Sequence, residues 1–412
     1  MNKKDITNIN TNVVNEIGQK NLSSGLLIAF LTCLSAFPAL STDLYLPALP
    51  GMAKLFGASE SLTNMTLTAF FISFGVLSLV WGPISDKIGR KPVLLIGGIL
   101  FMLASILCSF SPNVYILIIA RILQAAGGAA CTAMGTAIVK DAYRSKKREF
   151  AITMVQAMTV ICPTIAPFLG ALLLPHINWN GIFIVQAGFG VLVLIGAILY
   201  SESIPDKLTI SLFSSLGRLK VVMQNKNFVI IMLSFTIINA SGMAFIGVSS
   251  YIYVDYYGMT PQQYSLFFAF NAICMMGGNF IYIWLAKFIQ RSTIIIASLV
   301  VSILSGIAVI FLTPFGPFAF AIALVPSFIA SSCMKPPGML LMLNQQKKDT
   351  GSASSIIMSA FMIMGTLGIM GASLSLFNFA ILVGIITIIC SVISIMLYLW
   401  FLKRNPSAQN FY

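Results

Sequence analysis

Apolar residues run through this chain in long stretches, broken at intervals by short polar, proline-rich or glycine-rich segments. A helix needs about 20 mostly apolar residues to cross the hydrocarbon core of a bilayer. Twelve runs qualify, near 22–45, 61–82, 92–110, 113–138, 149–173, 179–200, 227–252, 263–286, 292–312, 316–342, 352–374 and 377–402. Breaks such as Ser111-Pro112-Asn113 and Thr313-Pro314-Phe315-Gly316 join neighbouring runs into tight hairpins. The longest polar stretch, Ser201 to Asn227, follows the sixth run. The pattern predicts an all-α integral membrane protein with two six-helix bundles, over 22–200 and 227–402. Tails over 1–21 and 403–412 and a linker over 201–226 complete it. In the linker, 212–223 sets Leu216, Leu219 and Val222 against Arg218 and Lys220. That suits a helix lying on the membrane surface and equally a solvated connection. Six spans on each side of a long middle loop is the layout of two bundles that rock about a central site.

Composition removes the soluble alternatives. The 412 residues are 58% hydrophobic and 8% charged, against about 45–50% and roughly 25% in an ordinary soluble domain. A cytosolic enzyme, a secreted disulfide scaffold and a disordered protein are all excluded. The seven cysteines lie inside apolar runs without a CxxC pair, so they read as small buried hydrophobes. His176 is the only histidine, which removes His-based metal sites and catalytic triads.

Charge placement orients the spans. If the N-terminus is cytoplasmic, 21 of the 24 basic residues fall on the cytoplasmic side and Lys54 alone in an outer connection. Arg121 and Lys335 lie within spans. This is the expected excess of Lys and Arg in cytoplasmic loops, and it places both termini in the cytoplasm. The formal charge of +13 is therefore a topology signal spread over seven short segments, and nucleic acid is not an expected partner.

Charges within spans are costly and mark candidate function. Asp43, in Ser41-Thr42-Asp43-Leu44-Tyr45-Leu46-Pro47, lies in the outer part of span one. Arg121 lies about eight residues in from the outer end of span four, and Lys335 near the middle of span ten. Burial favours the neutral form of a carboxyl and a neighbouring Arg favours the charged form. Asp43 thus reads either as a proton carrier or as one partner of a static ion pair with Arg121. Lys335 precedes Pro336-Pro337-Gly338, which frees backbone carbonyls and reads as a broken or kinked helix lining a cavity. It either caps such a carbonyl or recognises acidic cargo. Tyr45, Gln156, Asn239, Asn271 and Phe361 are further candidates for binding substrate, although membrane Asn and Gln also serve to join helices. Neither paired carboxylates nor a nucleophile–base couple is evident, so the chain does not read as an enzyme.

The stretch Gly82-Pro83-Ile84-Ser85-Asp86-Lys87-Ile88-Gly89-Arg90-Lys91 resembles the G-x-x-x-D-[RK]-x-G-[RK]-[RK] signature of the major facilitator superfamily, between spans two and three. Gly82 and Gly89 would let this loop turn, and Asp86 would accept hydrogen bonds from a helix N-terminus or from Arg90, forming a latch on the inner side. Arg121-Ile122-Leu123-Gln124 with Gly127-Gly128 is similar to the span-four signature R-x-x-Q-G-x-G. Pro163 through Pro167 and Gly170 resemble the span-five G-P-x-x-G-G signature of drug:proton antiporters, with Ala166 and Ala171 in two glycine positions. Asp43-Leu44-Tyr45-Leu46-Pro47-Ala48-Leu49-Pro50 is similar to the D-x-Y-L-P-A-x-P of the Bcr/CflA subgroup of bicyclomycin and chloramphenicol exporters. The resemblance implies alternating access in a bacterial cytoplasmic membrane and export of small amphiphilic compounds driven by a proton gradient without a cofactor. It also implies proton and substrate handling at Asp43 and Arg121. Lys335 departs from it, and keeps open a second expectation, export of an acidic endogenous metabolite such as a carboxylate siderophore. The expected partners are a small-molecule substrate, protons and membrane lipid, with the chain acting as a monomer.

Overall fold

A computed structural model describes residues 22–143, 145–202, 220–345, 350–374 and 378–405, and every regular element among them is helical. The polar residues between the apolar runs start the helices. Ser59 and Asn113 accept from the amides of Leu62 and Ile116 at 3.1 and 3.0 Å, and Thr260 with Gln263 forms a reciprocal capping box. The helices Glu60–Ile88, Arg90–Ser109, Val114–Ala142, Pro261–Leu285, Arg291–Leu312, Pro317–Asn344, Thr350–Ala372 and Phe379–Arg404 fall on the predicted runs for spans two to four and eight to twelve. The predicted span numbers are kept for them below.

Spans one, five, six and seven are less regular. Span one runs past residue 45, where the apolar pattern ends it. It comprises Ser24–Leu34, Phe37–Thr42, a short tight helix Leu46–Ala48 and Leu49–Phe56, bent by 45°. Spans five and six lie in one 55-residue element, Ser145–Leu199. At 1.5 Å per residue this is about 80 Å, far beyond a hydrocarbon core of about 30 Å. Its break is Asn178, with φ 54°, so its arms are 145–177 and 179–199. Span seven divides into Lys226–Ile237, Asn239–Ser250 and a wide turn over Tyr251–Tyr256. Among the described residues ten helices are long and apolar enough to cross a membrane, or eleven with the bent pair as one span. A count of twelve requires the two arms of Ser145–Leu199 to cross separately.

Packing repeats with a displacement of six spans. Span three packs on four, two on four, three on six and one on five. In the second half nine packs on ten, eight on ten, nine on twelve and seven on eleven. The halves meet through two on eleven and five on eight, contacts that the same displacement exchanges. The repeat reaches single residues. A Cβ on Gly170 of span five would fall on the Leu44 carbonyl of span one, and a Cβ on Gly368 of span eleven would fall on the Ala240 carbonyl of span seven. Only glycine permits this approach of backbone to backbone.

The apolar cores show how the halves are joined. On the face away from the termini, one core takes residues from both halves, including Leu44, Phe70, Phe183, Phe245, Tyr264 and Phe320. On the terminal face there are two cores. One, including Leu31, Phe101, Ile138 and Tyr200, belongs to the first half; the other, including Phe228, Leu299, Met342 and Tyr398, belongs to the second. Hydrogen bonds between the halves follow the same division. Lys54 meets Asp255, Asn64 meets Ser373, Gln262 meets the Ala171 carbonyl, Ser265 the Pro167 carbonyl and Ser359 the Gly75 carbonyl. All lie from mid-span to the far face. Among the described residues the halves are therefore sealed together at the far face and separate at the terminal face. Of the linker, 203–219 lies outside the described residues, as do the N-terminal tail to residue 21 and 406–412. Val222 is buried against the second-half core.

Candidate functional site

The turn that carries Asp43 follows from its prolines. Pro47 has no amide hydrogen for the carbonyl four residues before it, and residues 43–45 leave the helix between Thr42 and Leu46. Side chains from spans four and six bind the end of the interrupted helix. Arg121 Nη1 donates to the Ser41 carbonyl at 2.8 Å, and Gln186 Nε2 to the Leu40 carbonyl at 2.9 Å. Arg121 Nη1 also donates to Gln124 Oε1, whose amide nitrogen donates to Ser105 Oγ and Gln186 Oε1, each at 2.7 Å. The guanidinium lies 4.3 Å from the Phe70 ring centre and 4.7 Å from that of Tyr45, within cation–π range. Arg121 Nε and Nη2 have no hydrogen-bond partner. Tyr45 bonds Thr66 Oγ1 at 2.8 Å.

Asp43 is 5% exposed and accepts from Thr42 Oγ1 at 2.9 Å. It forms no ion pair with Arg121. The ion pairs among the described residues are Lys54–Asp255, Arg90–Asp86 and Arg90–Asp141. The static Asp43–Arg121 pair left open by the sequence is absent from this conformation, because Arg121 points into the broken end of span one.

The second half holds its cation differently. Lys335 is exposed and lines a cavity of about 260 Å³, mouth included, with Phe235, Ile238 and Asn239 of span seven, Ser331, Met334 and Met342 of span ten and Phe361 of span eleven. Three sequence candidates, Asn239, Lys335 and Phe361, are thus brought together. Asn239 Nδ2 donates to the Phe361 carbonyl at 2.8 Å. The helix expected to be broken or kinked at Pro336-Pro337 is not broken: Pro317–Asn344 is one continuous element with both prolines inside it, and Lys335 lies two-thirds of the way along it toward the terminal face.

The other candidates lie apart from this cavity. Tyr45 and Arg121 have no exposed surface and Asn271 has 2%, so none meets a cavity in this conformation. Asn271 donates to Phe267 of its own helix at 3.1 Å. Gln156 is exposed on the first arm of Ser145–Leu199. In that arm Pro163 is half-buried, Gly170 abuts Leu44 of span one, and the Pro167 carbonyl takes the Ser265 hydroxyl of the second half at 3.0 Å.

The latch motif is mostly helix. Gly82 and Asp86 lie within Glu60–Ile88, and a Cβ at Gly82 would meet nothing; the loop shrinks to Gly89, with φ 106°. Arg90 pairs with Asp86 at 2.7 Å and with Asp141 of span four at 2.9 Å. The span-three N-terminus is capped by Glu202, whose oxygens accept from the amides of Arg90 and Lys91 at 3.1 and 3.0 Å. The sequence reading missed Asp141, Glu202, Ser105 and Gln186. The two acids were visible as carboxylates near the basic ends of spans four and six, and Gln186 as an amide inside an apolar run.

The family model of the Major Facilitator Superfamily matches residues 28–369. The chain belongs to this superfamily. Over 360 residues it is 28% identical to the uncharacterized MFS-type transporter YdgK of Bacillus subtilis, covering 86% of this chain and 89% of that one. It is 25% identical to the bicyclomycin resistance protein homolog of Haemophilus influenzae, over 94% of this chain and 99% of that one. A chloramphenicol resistance protein of Pseudomonas aeruginosa is 35% identical over 38% of each chain. These relatives agree with the drug:proton antiporter subgroup to which the motifs point. Among solved structures, a bacterial homolog of the human lysosomal transporter Spinster, inward-facing and unoccupied, superposes with TM-score 0.74 at 14% identity, over 94% of this chain and 98% of that one. The chain is therefore a multi-pass membrane transporter of the major facilitator fold.

Proposed function

We propose that this transporter exports small amphiphilic compounds across a bacterial cytoplasmic membrane in exchange for protons. Both termini are then cytoplasmic, and the far-face seal makes this conformation inward-facing. The observation that carries the reading is the setting of Asp43, a buried carboxylate with a hydroxyl neighbour and no cation, on the turn where span one rests on span five. Leaving a carboxylate charged in a dry site is costly, and binding a proton removes the charge. Alternation of the halves would expose Asp43 first to one compartment and then to the other, with Arg121 holding the turn in place. The resistance phenotypes named for the relatives favour drug-type cargo.

Proteoliposomes with an internal pH dye test this. Chloramphenicol or bicyclomycin should drive proton movement through the wild-type chain, and Asp43→Asn should abolish it while eluting as a folded monomer on gel filtration. Intact coupling in that variant would remove Asp43 from the role. The second reading, export of an acidic endogenous metabolite, rests on Lys335.

A further inference from the structure

Lys335 makes no hydrogen bond or ion pair with any described residue, although it lies within a membrane span. No carboxylate lines its cavity. Ser331 is one helical turn earlier on the same face of span ten, and its hydroxyl has no partner among the described residues either. Around these two polar groups the walls are Phe235, Phe361, Met334 and Met342. Aromatic rings supply flat apolar contact, and methionines adapt to varied shapes.

We infer that this cavity is an acid-binding subsite: it takes one monoanionic head group, a carboxylate or sulfonate, with the adjoining apolar part of the cargo against Phe235 and Phe361. One acid oxygen receives the Lys335 ammonium and another the Ser331 hydroxyl. A single ammonium balances a single negative charge, so a phosphate dianion is left under-compensated and a lipophilic cation is repelled. The volume of about 260 Å³ includes the open mouth, so the cavity takes the acid group while the rest of the cargo lies between the halves. The inference rests on the exporter reading only in taking this cavity to be open to cargo.

The test uses the full-length chain in detergent and three probes with one skeleton: 2-naphthoate, 2-naphthamide and 2-naphthylmethylammonium. Calorimetry should show 2-naphthoate binding at least tenfold tighter than the amide, with the ammonium weakest. Lys335→Gln should bring the acid down to the affinity of the amide, and Lys335→Arg should keep the acid preference. Equal affinity for acid and amide in the wild type, no binding of 2-naphthoate, or an acid preference that survives Lys335→Gln would each overturn the subsite. Chloramphenicol-driven proton movement is measured after the same proteins are reconstituted into proteoliposomes. Its absence beside a retained acid preference would sink the exporter reading alone, and its presence without that preference would sink the subsite alone.

Discussion

The two halves share a scaffold and differ in how each houses its cation. In both, a glycine in the fifth helix of the half meets a backbone carbonyl in the first: Gly170 against Leu44, Gly368 against Ala240. On that common frame the first half closes over Arg121, which is bonded to the span-one backbone and to Gln124 under aromatic rings. The second half leaves Lys335 unpaired at a cavity wall. A cation that completes the bonding of its neighbours is part of the framework, whereas one that completes nothing within the protein is available for cargo. The contrast separates two roles that a sequence reading of charges within spans treats alike.

The largest expected effect tests the shared frame. Gly170→Val and Gly368→Val each push a side chain into a carbonyl, and each should cost more than about 4 kcal/mol, in the range where single substitutions prevent folding. Both should fail to yield monodisperse protein; survival of one alone would break the equivalence of the halves. Next comes the contrast between the cations. Arg121→Met leaves Gln124 Oε1 without its donor and the Ser41 carbonyl with only a 3.5 Å contact from Gln186, at about 1–3 kcal/mol for an orphaned group, and should lower the melting temperature of the purified protein. Lys335→Met removes an exposed charge with no protein partner and should leave it unchanged, within about 0.5 kcal/mol. A fall in both variants would mean that Lys335 also supports the fold. The smallest effect belongs to the seal. Lys54 is exposed, and exposed ion pairs contribute about 0–1 kcal/mol. Lys54→Ala should therefore leave melting within about 2 °C while increasing thiol labelling of a cysteine placed at Asn64 on the far face. Unchanged labelling would show that the Lys54–Asp255 pair is not part of the closure.

Much of the architecture was legible because lipid leaves the backbone few choices: a polar main chain in hydrocarbon must be helical, and apolar run length then sets the spans. Eight of the helices begin and end within a few residues of their runs for that reason. Span one was read too short because Pro47 and Pro50 punctuate an element that turns and continues to Phe56. The continuity at Pro336-Pro337 has the opposite cause: neighbouring helices keep span ten together where proline removes two amides. At the candidate site, Asp43, Arg121 and Lys335 stood out by the cost of charge in lipid. The surrounding network did not, because Gln186 and Ser105 reach Gln124, and Glu202 the span-three N-terminus, from spans that only tertiary packing brings near. The glycine repeat was hidden for the same reason, since a glycine's contact is made by the helix it faces.

The span-five arm has a mechanical consequence. Gly170 bears on the turn that holds Asp43, and three residues earlier the Pro167 carbonyl is tied to Ser265 across the seam. Less than one helical turn thus separates the acid's footing from a tether to the opposite bundle. A displacement of the acid would have less than one helical turn of span five to cross before it reached the seam.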